Sequence, residues 1–271
     1  MNVLERKMVD TLKDLKENNH VVGVKAEFEA EGTRLEEMLR LKEVCMAAGI
    51  GLTIKIGGCE ALRDMYECRV IGAERLVAPM VESAYALSKF LAAAKMAFPE
   101  EERQDVIFAV NIETISGCKA FDEMMTLKEF GLLRGVIMGR VDLTGSLGMT
   151  REDINSPQIF EITRDLLVKA KIKNLETAIG GGVSVYSLSF FRDLPKGVLD
   201  RFETRKVIFG CPGALGPDGD KGIMKAVGFE LLWLKNKRDY YAAISKEDEQ
   251  RIGMLEYRYK SIITAAGGKY E

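Results

Sequence analysis

Short β-rich runs alternate with helical stretches along the whole chain, and this alternation constrains the fold more than any other feature of the sequence. Strands are predicted at 20–30 (HVVGVKAEFEA), 51–56 (GLTIKI), 75–79 (RLVAP), 105–113 (DVIFAVNIE), 135–142 (GVIMGRVD), 176–179 (ETAI) and 206–210 (KVIFG). Helical patterns lie between them at 33–48, 83–98, 119–130 and 156–172. Strand–helix alternation calls for a parallel sheet, because each crossover between parallel strands needs a dozen or more residues. In a chain of 271 residues the two candidates are a β/α barrel and an open doubly wound sheet. A dinucleotide fold would carry G-x-G-x-x-G directly after its first strand, whereas here the first strand runs into Glu-Ala-Glu-Gly-Thr-Arg. Glycines cluster late, at 180–182 and 210–213, which fits the phosphate-binding loops of a barrel. Gly181, Gly182, Gly210 and Gly213 are therefore candidate substrate- or phosphate-binding positions.

The expected fold class is α/β, a (β/α)8-type TIM barrel forming one domain over 1–271. It is atypical in that only seven strands are visible. An N-terminal helix is expected at about 1–17 and a helical extension at about 222–265. The extension carries Trp233, Tyr240, Tyr241, Tyr257 and Tyr259, aromatic surface that would cap the barrel or pack on another copy, so a homo-oligomer is expected.

Composition narrows the function. Lys and Arg number 39 against 41 Asp and Glu, and so balanced a chain has no global attraction to nucleic acid or to an anionic membrane. The five cysteines form no C-x-x-C pair, as expected of reduced thiols in a cytoplasmic protein. Residues 1–19 lack the unbroken apolar stretch of a signal peptide, and no apolar run approaches the ~18 residues of a membrane span. His20 is the only histidine and is expected in a surface loop. A Ser-His-Asp or Cys-His machine and a His-ligated metal are thereby disfavoured. Chemistry is left to carboxylates, lysine, arginine, tyrosine, metal-bound water or a cofactor.

Active sites of β/α barrels lie at the carboxyl ends of the strands, where polar residues are dense in this chain. Glu113 ends the fourth predicted strand and Asp142 the fifth. Neighbouring parallel strands lie about 4.8 Å apart, so carboxylates at matched heights can share a hard divalent cation, Mg²⁺ or Mn²⁺. Alternatively Glu113 serves a helix cap and Asp142 a turn. Lys55, flanked by isoleucines, either snorkels outward or points inward, to bind an anion or to form a Schiff base with a carbonyl. Lys25, Glu27 and Glu29 share one face of the first strand. If that face lines the barrel, Glu27 and Glu29 are candidates for general acid/base work; otherwise they are exposed edge residues. Arg140 shares parity with Asp142 and would suit a substrate carboxylate or phosphate, or form a structural ion pair.

Three segments resemble the HpcH/HpaI aldolase and citrate lyase family. Residues 76–89 (LVAPMVESAYALSK) are similar to its strand–helix segment carrying V-P-M-V. Ile112-Glu-Thr resembles the strand ending in its metal-binding glutamate, and 139–148 (GRVDLTGSLG) resembles its G-x-x-D-L-S-x-x-x-G segment. The resemblance implies a barrel of the phosphoenolpyruvate/pyruvate-binding superfamily, a divalent metal on Glu113 and Asp142, and carbon–carbon bond cleavage or formation beside a pyruvate-like 2-oxo acid through a metal-stabilised enolate. Two departures stand out. Lys55 occupies the place of a family arginine, and the first strand lacks the histidine of the aldolase branch, leaving Glu27, Glu29 or metal-bound water as substitutes. A non-catalytic ligand-binding or assembly barrel is the alternative from a different class.

Overall fold

The computed structural model describes residues 1–269. Eight strands close into a barrel in chain order: β1 (Val21–Glu27), β2 (Gly51–Lys55), β3 (Arg75–Ala78), β4 (Ile107–Ile112), β5 (Gly135–Gly139), β6 (Glu176–Gly180), β7 (Arg201–Glu203) and β8 (Val207–Gly210). The helices are α1 (Val3–Asn19), α2 (Leu35–Ala48), α3 (Leu62–Ile71), α4 (Ala84–Ala97), α5 (Ile115–Met124), α6 (Arg140–Ser146), α7 (Pro157–Ile172), α8 (Ser187–Arg192) and α9 (Gly219–Ala265).

Local chemistry sets the helix boundaries. The side chains of Ser83, Thr114 and Ser156 accept from backbone N–H groups of the first turns of α4, α5 and α7, satisfying donors that a helix leaves open. Gly49 and Gly72 end α2 and α3 in the left-handed conformation, where glycine has no Cβ penalty. The cap at Thr114 explains why α5 begins before the expected 119.

The strand missing from the sequence pattern is β7, three residues long. Only Thr204, Arg205 and Lys206 separate it from β8, too few for a crossover. The pair is therefore an antiparallel hairpin, closed by Thr204 N–H donating to the Val207 carbonyl at 2.9 Å. β1 to β7 run parallel, whereas β8 runs backward against both β7 and β1. This reversal corrects the placement of Gly210 and Gly213. The end of β8 lies at the amino-end face of the barrel, where Gly210 N–H donates to the His20 carbonyl at 2.8 Å. A Cβ on Gly213 would meet the His20 ring at 2.5 Å. These two glycines stand at the far end from the carboxyl termini of β1–β7.

The outward faces of the strands join the helices in one large apolar core containing Val24, Ile54, Leu76, Phe108, Val136 and Ile179. Inside the barrel, Val77, Ala109, Ile137 and Ala178 form a small apolar plug. Towards the amino end, Glu176 pairs with Arg75 at 2.6 Å and with Arg201 at 2.9 Å. Towards the carboxyl end the interior is charged again. Helix α9 spans 47 residues, about 70 Å at 1.5 Å per residue. Its first half buries Ile223, Ala226, Phe229 and Trp233, whereas Ile252, Leu255 and Ile262 on its second half are more than half exposed. Among the described residues no helix is long and apolar enough to cross a membrane.

Candidate active site

The carboxyl-end mouth is built from charged side chains that the inward parity of β1, β2 and β7 directs to one place. Lys25 Nζ donates to Glu203 Oε1 at 2.6 Å and lies 3.2 Å from Glu27 Oε1. Burial works against the Lys25 charge, but Glu203 and Glu27 outweigh it and hold the ammonium above the ordinary lysine range. Burial likewise opposes the Glu27 carboxylate; Lys25, Lys55 and Arg205 prevail, and its pKa falls below the ordinary value. Glu27 Oε2 is buried with no hydrogen-bond partner, its approach to Arg205 Nη1 being 3.7 Å.

Lys55 points inward. Its Nζ lies 2.9 Å from Glu29 Oε2 and 3.8 Å from Glu113 Oε1. Desolvation is the largest influence on it, yet Glu113, Glu29 and Glu27 together raise its pKa. The amine is held as ammonium, without the lone pair that a Schiff base requires. β1 ends at Glu27, and Glu29 sits in the following bend, half-buried, still within reach of Lys55.

Glu113 follows β4 and is 3% exposed. Its Oε1 accepts from the Met80 N–H at 3.0 Å and its Oε2 from Asn111 Nδ2 at 2.8 Å. Met80 reaches Glu113 from a left-handed backbone, φ 49°, a strained conformation of the kind that clusters at functional sites. Burial raises the pKa of Glu113 despite Lys55 and the two hydrogen bonds, and the negative charge of Asp142 adds to the rise.

Asp142 does not end a strand. β5 stops at Gly139, and Asp142 stands in the first turn of α6, exposed. The same boundary corrects Arg140. Residues two apart on a helix diverge by about 200°, so the shared parity with Asp142 is lost. Arg140 is fully buried. It donates to Asn155 Oδ1 at 2.6 Å, Ser187 Oγ at 3.1 Å and the Gly181 carbonyl at 3.2 Å, with Phe190 and Phe191 about its guanidinium. Burial pulls its pKa down to about 10, which still leaves it charged at neutral pH. It clamps the loop after β6 and has no surface left for substrate. Gly181 and Gly182 belong to that loop, at φ 78° and 64°. A Cβ on Gly181 would come within 2.7 Å of the Arg140 and Val141 amide nitrogens, so close packing on α6 accounts for that glycine.

Among the described residues no three His, Cys, Asp or Glu side chains form a ready metal cage. The donor set nevertheless fits a hard divalent cation that keeps most of its shell for water and substrate. Burial is the main cause of the raised Glu113 pKa and Asp142 the smallest contributor to it; two carboxylates that feel each other's charge suit a cation. Around the mouth Glu27, Glu29, Glu31, Glu113 and Glu203 interleave with Lys25, Lys55, Arg205 and Lys206, and Glu82 accepts from Thr114 Oγ1 next to Glu113. Glu31, Glu203, Arg205 and Lys206 escaped sequence reasoning; the stretch Arg-Phe-Glu-Thr-Arg-Lys is too short to announce a hairpin.

No family profile and no curated protein matches this sequence. Solved structures do. An HpcH/HpaI aldolase/citrate lyase family protein from Burkholderia cenocepacia J2315 superposes with a TM-score of 0.57 at 13% identity, over 73% of this chain and 83% of that one. A variant of the citrate synthase SbnG superposes with a TM-score of 0.55 at 13% identity, over 90% of both chains. At such identity the likeness establishes the barrel fold.

Proposed function

We propose that the carboxyl-end mouth is the active site of a carbon–carbon bond lyase of the HpcH/HpaI aldolase and citrate lyase type, acting on a pyruvate-like 2-oxo acid with Mg²⁺ or Mn²⁺ held by Glu113 and Asp142. One observation carries this reading: Glu113, within the field of Asp142, meets Lys55 and Glu29 at a single charged barrel mouth. The barrel fold of the two solved structures and the segments at 76–89, 112–114 and 139–148 support it. When bound, the ion supplies Lewis-acid stabilisation of negative charge on substrate oxygens.

The chain's own residues divide the remaining work. Lys55, kept as ammonium, holds the carboxylate of the 2-oxo acid or the charge that develops beside it. Glu29, half-buried and beside Lys55, is the group placed to accept or return a proton. Glu27 is held ionised by three cations, which suits it to fixing Lys25 and Lys55 rather than to proton transfer. Arg140 is outside this chemistry. Isothermal titration with Mg²⁺ or Mn²⁺, then pyruvate or oxalate, tests the proposal; its expected outcome is metal-dependent binding of the oxo acid that is lost in Glu113→Gln. Equal binding of pyruvate after exhaustive demetallation, or a borohydride-trapped adduct on Lys55, would overturn it in favour of the Schiff-base route.

We also propose a second copy of the chain as partner, through the exposed half of α9. Ile252, Leu255 and Ile262 fall on the 3- and 7-residue spacings of a coiled-coil seam. Arg251 and Glu256 flank it with opposite charges at positions that meet between parallel helices.

A further inference from the structure

The amino end of the barrel holds a second charged cluster, on the far side of the plug formed by Val77, Ala109, Ile137 and Ala178. Strand parity turns Arg75 of β3, Glu176 of β6 and Arg201 of β7 inward there. Arg75 Nη2 lies 2.6 Å from Glu176 Oε1, and Arg201 Nη2 lies 2.9 Å from Glu176 Oε2. One carboxylate is thus divided between two guanidinium groups. Gly135 makes the room, since a Cβ there would come within 3.0 Å of Arg75 Nη1. Arg75 is 7% exposed, and despite the ion pair its Nη2 makes no aligned hydrogen bond. Burial is the largest influence on Arg75 and lowers its pKa; Arg201 adds to the fall, and Glu176 does not offset the two. The neighbouring carboxylates are engaged elsewhere. Asp200 Oδ2 accepts from the Thr177 N–H at 2.8 Å and from Lys171, and Glu74 folds over Gly51 to within 4.0 Å of Lys42. Lys171, Asn174, Glu176 and Arg201 line an open cavity of about 600 Å³, with Val22 and Cys211 on its wall. The Arg201 side chain is 26% exposed, and its Nε and Nη1 have no partner among the described residues.

We infer that this amino-end cavity is a binding site for a phosphate group, separate from the carboxyl-end mouth, with Arg201 as its main contact and Lys171 and Asn174 beside it. The inference does not depend on the chemistry proposed for the mouth. The guanidinium fork of Arg201 takes two phosphate oxygens at once. The Lys171 ammonium and the Asn174 amide bring donors from other directions, which suit a tetrahedral group better than a planar carboxylate. Arg75, behind Glu176, contributes positive charge in a low-dielectric setting and so favours an anion in front of it. A free phosphate ion and the phosphoryl group of a small metabolite offer the same chemistry. The cavity falls in the size range of small-molecule sites, larger than the bare ion needs, which favours the phosphorylated compound.

The test is titration calorimetry of the full chain with inorganic phosphate, glycerol 3-phosphate and acetate at constant ionic strength, on the native protein, Arg201→Met, Val22→Glu and Arg205→Met. The native chain is expected to bind at least one of the two phosphates about tenfold or more tighter than acetate, the size of a charge-assisted bidentate contact. Arg201→Met is expected to lose about tenfold or more of that affinity. Val22 is 44% exposed at the start of β1, so Val22→Glu sets a carboxylate on the cavity wall at little cost to folding, and a similar loss is expected. Arg205→Met, at the opposite end of the barrel, should stay within about twofold of native. Tighter binding of glycerol 3-phosphate assigns the site to an organic phosphate, and tighter binding of inorganic phosphate assigns it to the free ion; either supports the site. Acetate binding as tightly as both phosphates overturns the inference, as does an undiminished phosphate affinity in folded Arg201→Met, or a loss found in Arg205→Met instead. Should Arg201→Met not fold, Val22→Glu decides, and an unchanged affinity there overturns the inference. None of these outcomes bears on the reading of the carboxyl-end mouth.

Discussion

The Glu113 side chain occupies the space a side chain at Gly139 would need. A Cβ at 139 would lie 2.6 Å from the Glu113 Cβ and closer still to its Oε2. The glycine that ends β5 is thus the seat of the carboxylate that follows β4.

Gly139→Ala is expected to push Glu113 off its hydrogen bonds to Met80 and Asn111. Overpacking of this kind costs about 1–3 kcal/mol. Thermal unfolding should register that loss, and titration calorimetry should register a fall in Mg²⁺ affinity of tenfold or more.

Asp142→Asn separates site from scaffold. Asp142 is exposed, so the substitution should change stability by no more than about 0.5 kcal/mol while lowering Mg²⁺ affinity at least tenfold. An unaltered metal affinity would remove Asp142 from the site.

Glu27 gives the mouth a pH signature. Its folded pKa is depressed below the ordinary 4.5, so its contribution to stability is present above that value and is lost as pH falls through the folded pKa. Glu27→Gln also leaves Lys25 with Glu203 alone, a loss of about 3 kcal/mol at pH 7 by the scale of broken buried pairs. Denaturant unfolding should find the variant less stable at pH 7 and drawing level with the native chain below pH 4.5. A difference constant from pH 7 to 3 would count against the assignment.

Arg140→Met should act on the scaffold. It strips donors from Asn155, Ser187 and the Gly181 carbonyl, at about 1–3 kcal/mol for the buried acceptors left unpaired. The unfolding midpoint should fall while the pyruvate dissociation constant of the folded fraction stays within a few-fold of native. Arg140→Lys should recover little, since a point charge does not replace a planar fork among neutral acceptors.

Leu255 is 58% exposed on the second half of α9. Leu255→Glu puts charge in the proposed seam and is expected to shift the particle from dimer or larger to monomer in light scattering, with the barrel's unfolding midpoint unchanged.

The sequence by itself determined the barrel and the positions of Glu113, Asp142, Lys55, Glu27 and Glu29 as mouth candidates. The signals behind these are local: alternation of β-rich and helical runs, two-residue alternation in the first strand, and polar residues just where apolar runs stop. The tertiary structure decided which of those side chains meet, and which do not. Arg140 left the site because a helix begins one residue after Gly139, and a helical turn sends its side chain away from Asp142. Gly210 and Gly213 went to the opposite end because three residues cannot cross over a barrel, so β8 had to turn back. Glu203 entered at the end of the parallel strand β7, across 178 residues of chain from Lys25, and Arg205 in the turn where the chain reverses. Pairing at that separation is settled by barrel closure, through register and strand direction, which no short window of sequence encodes.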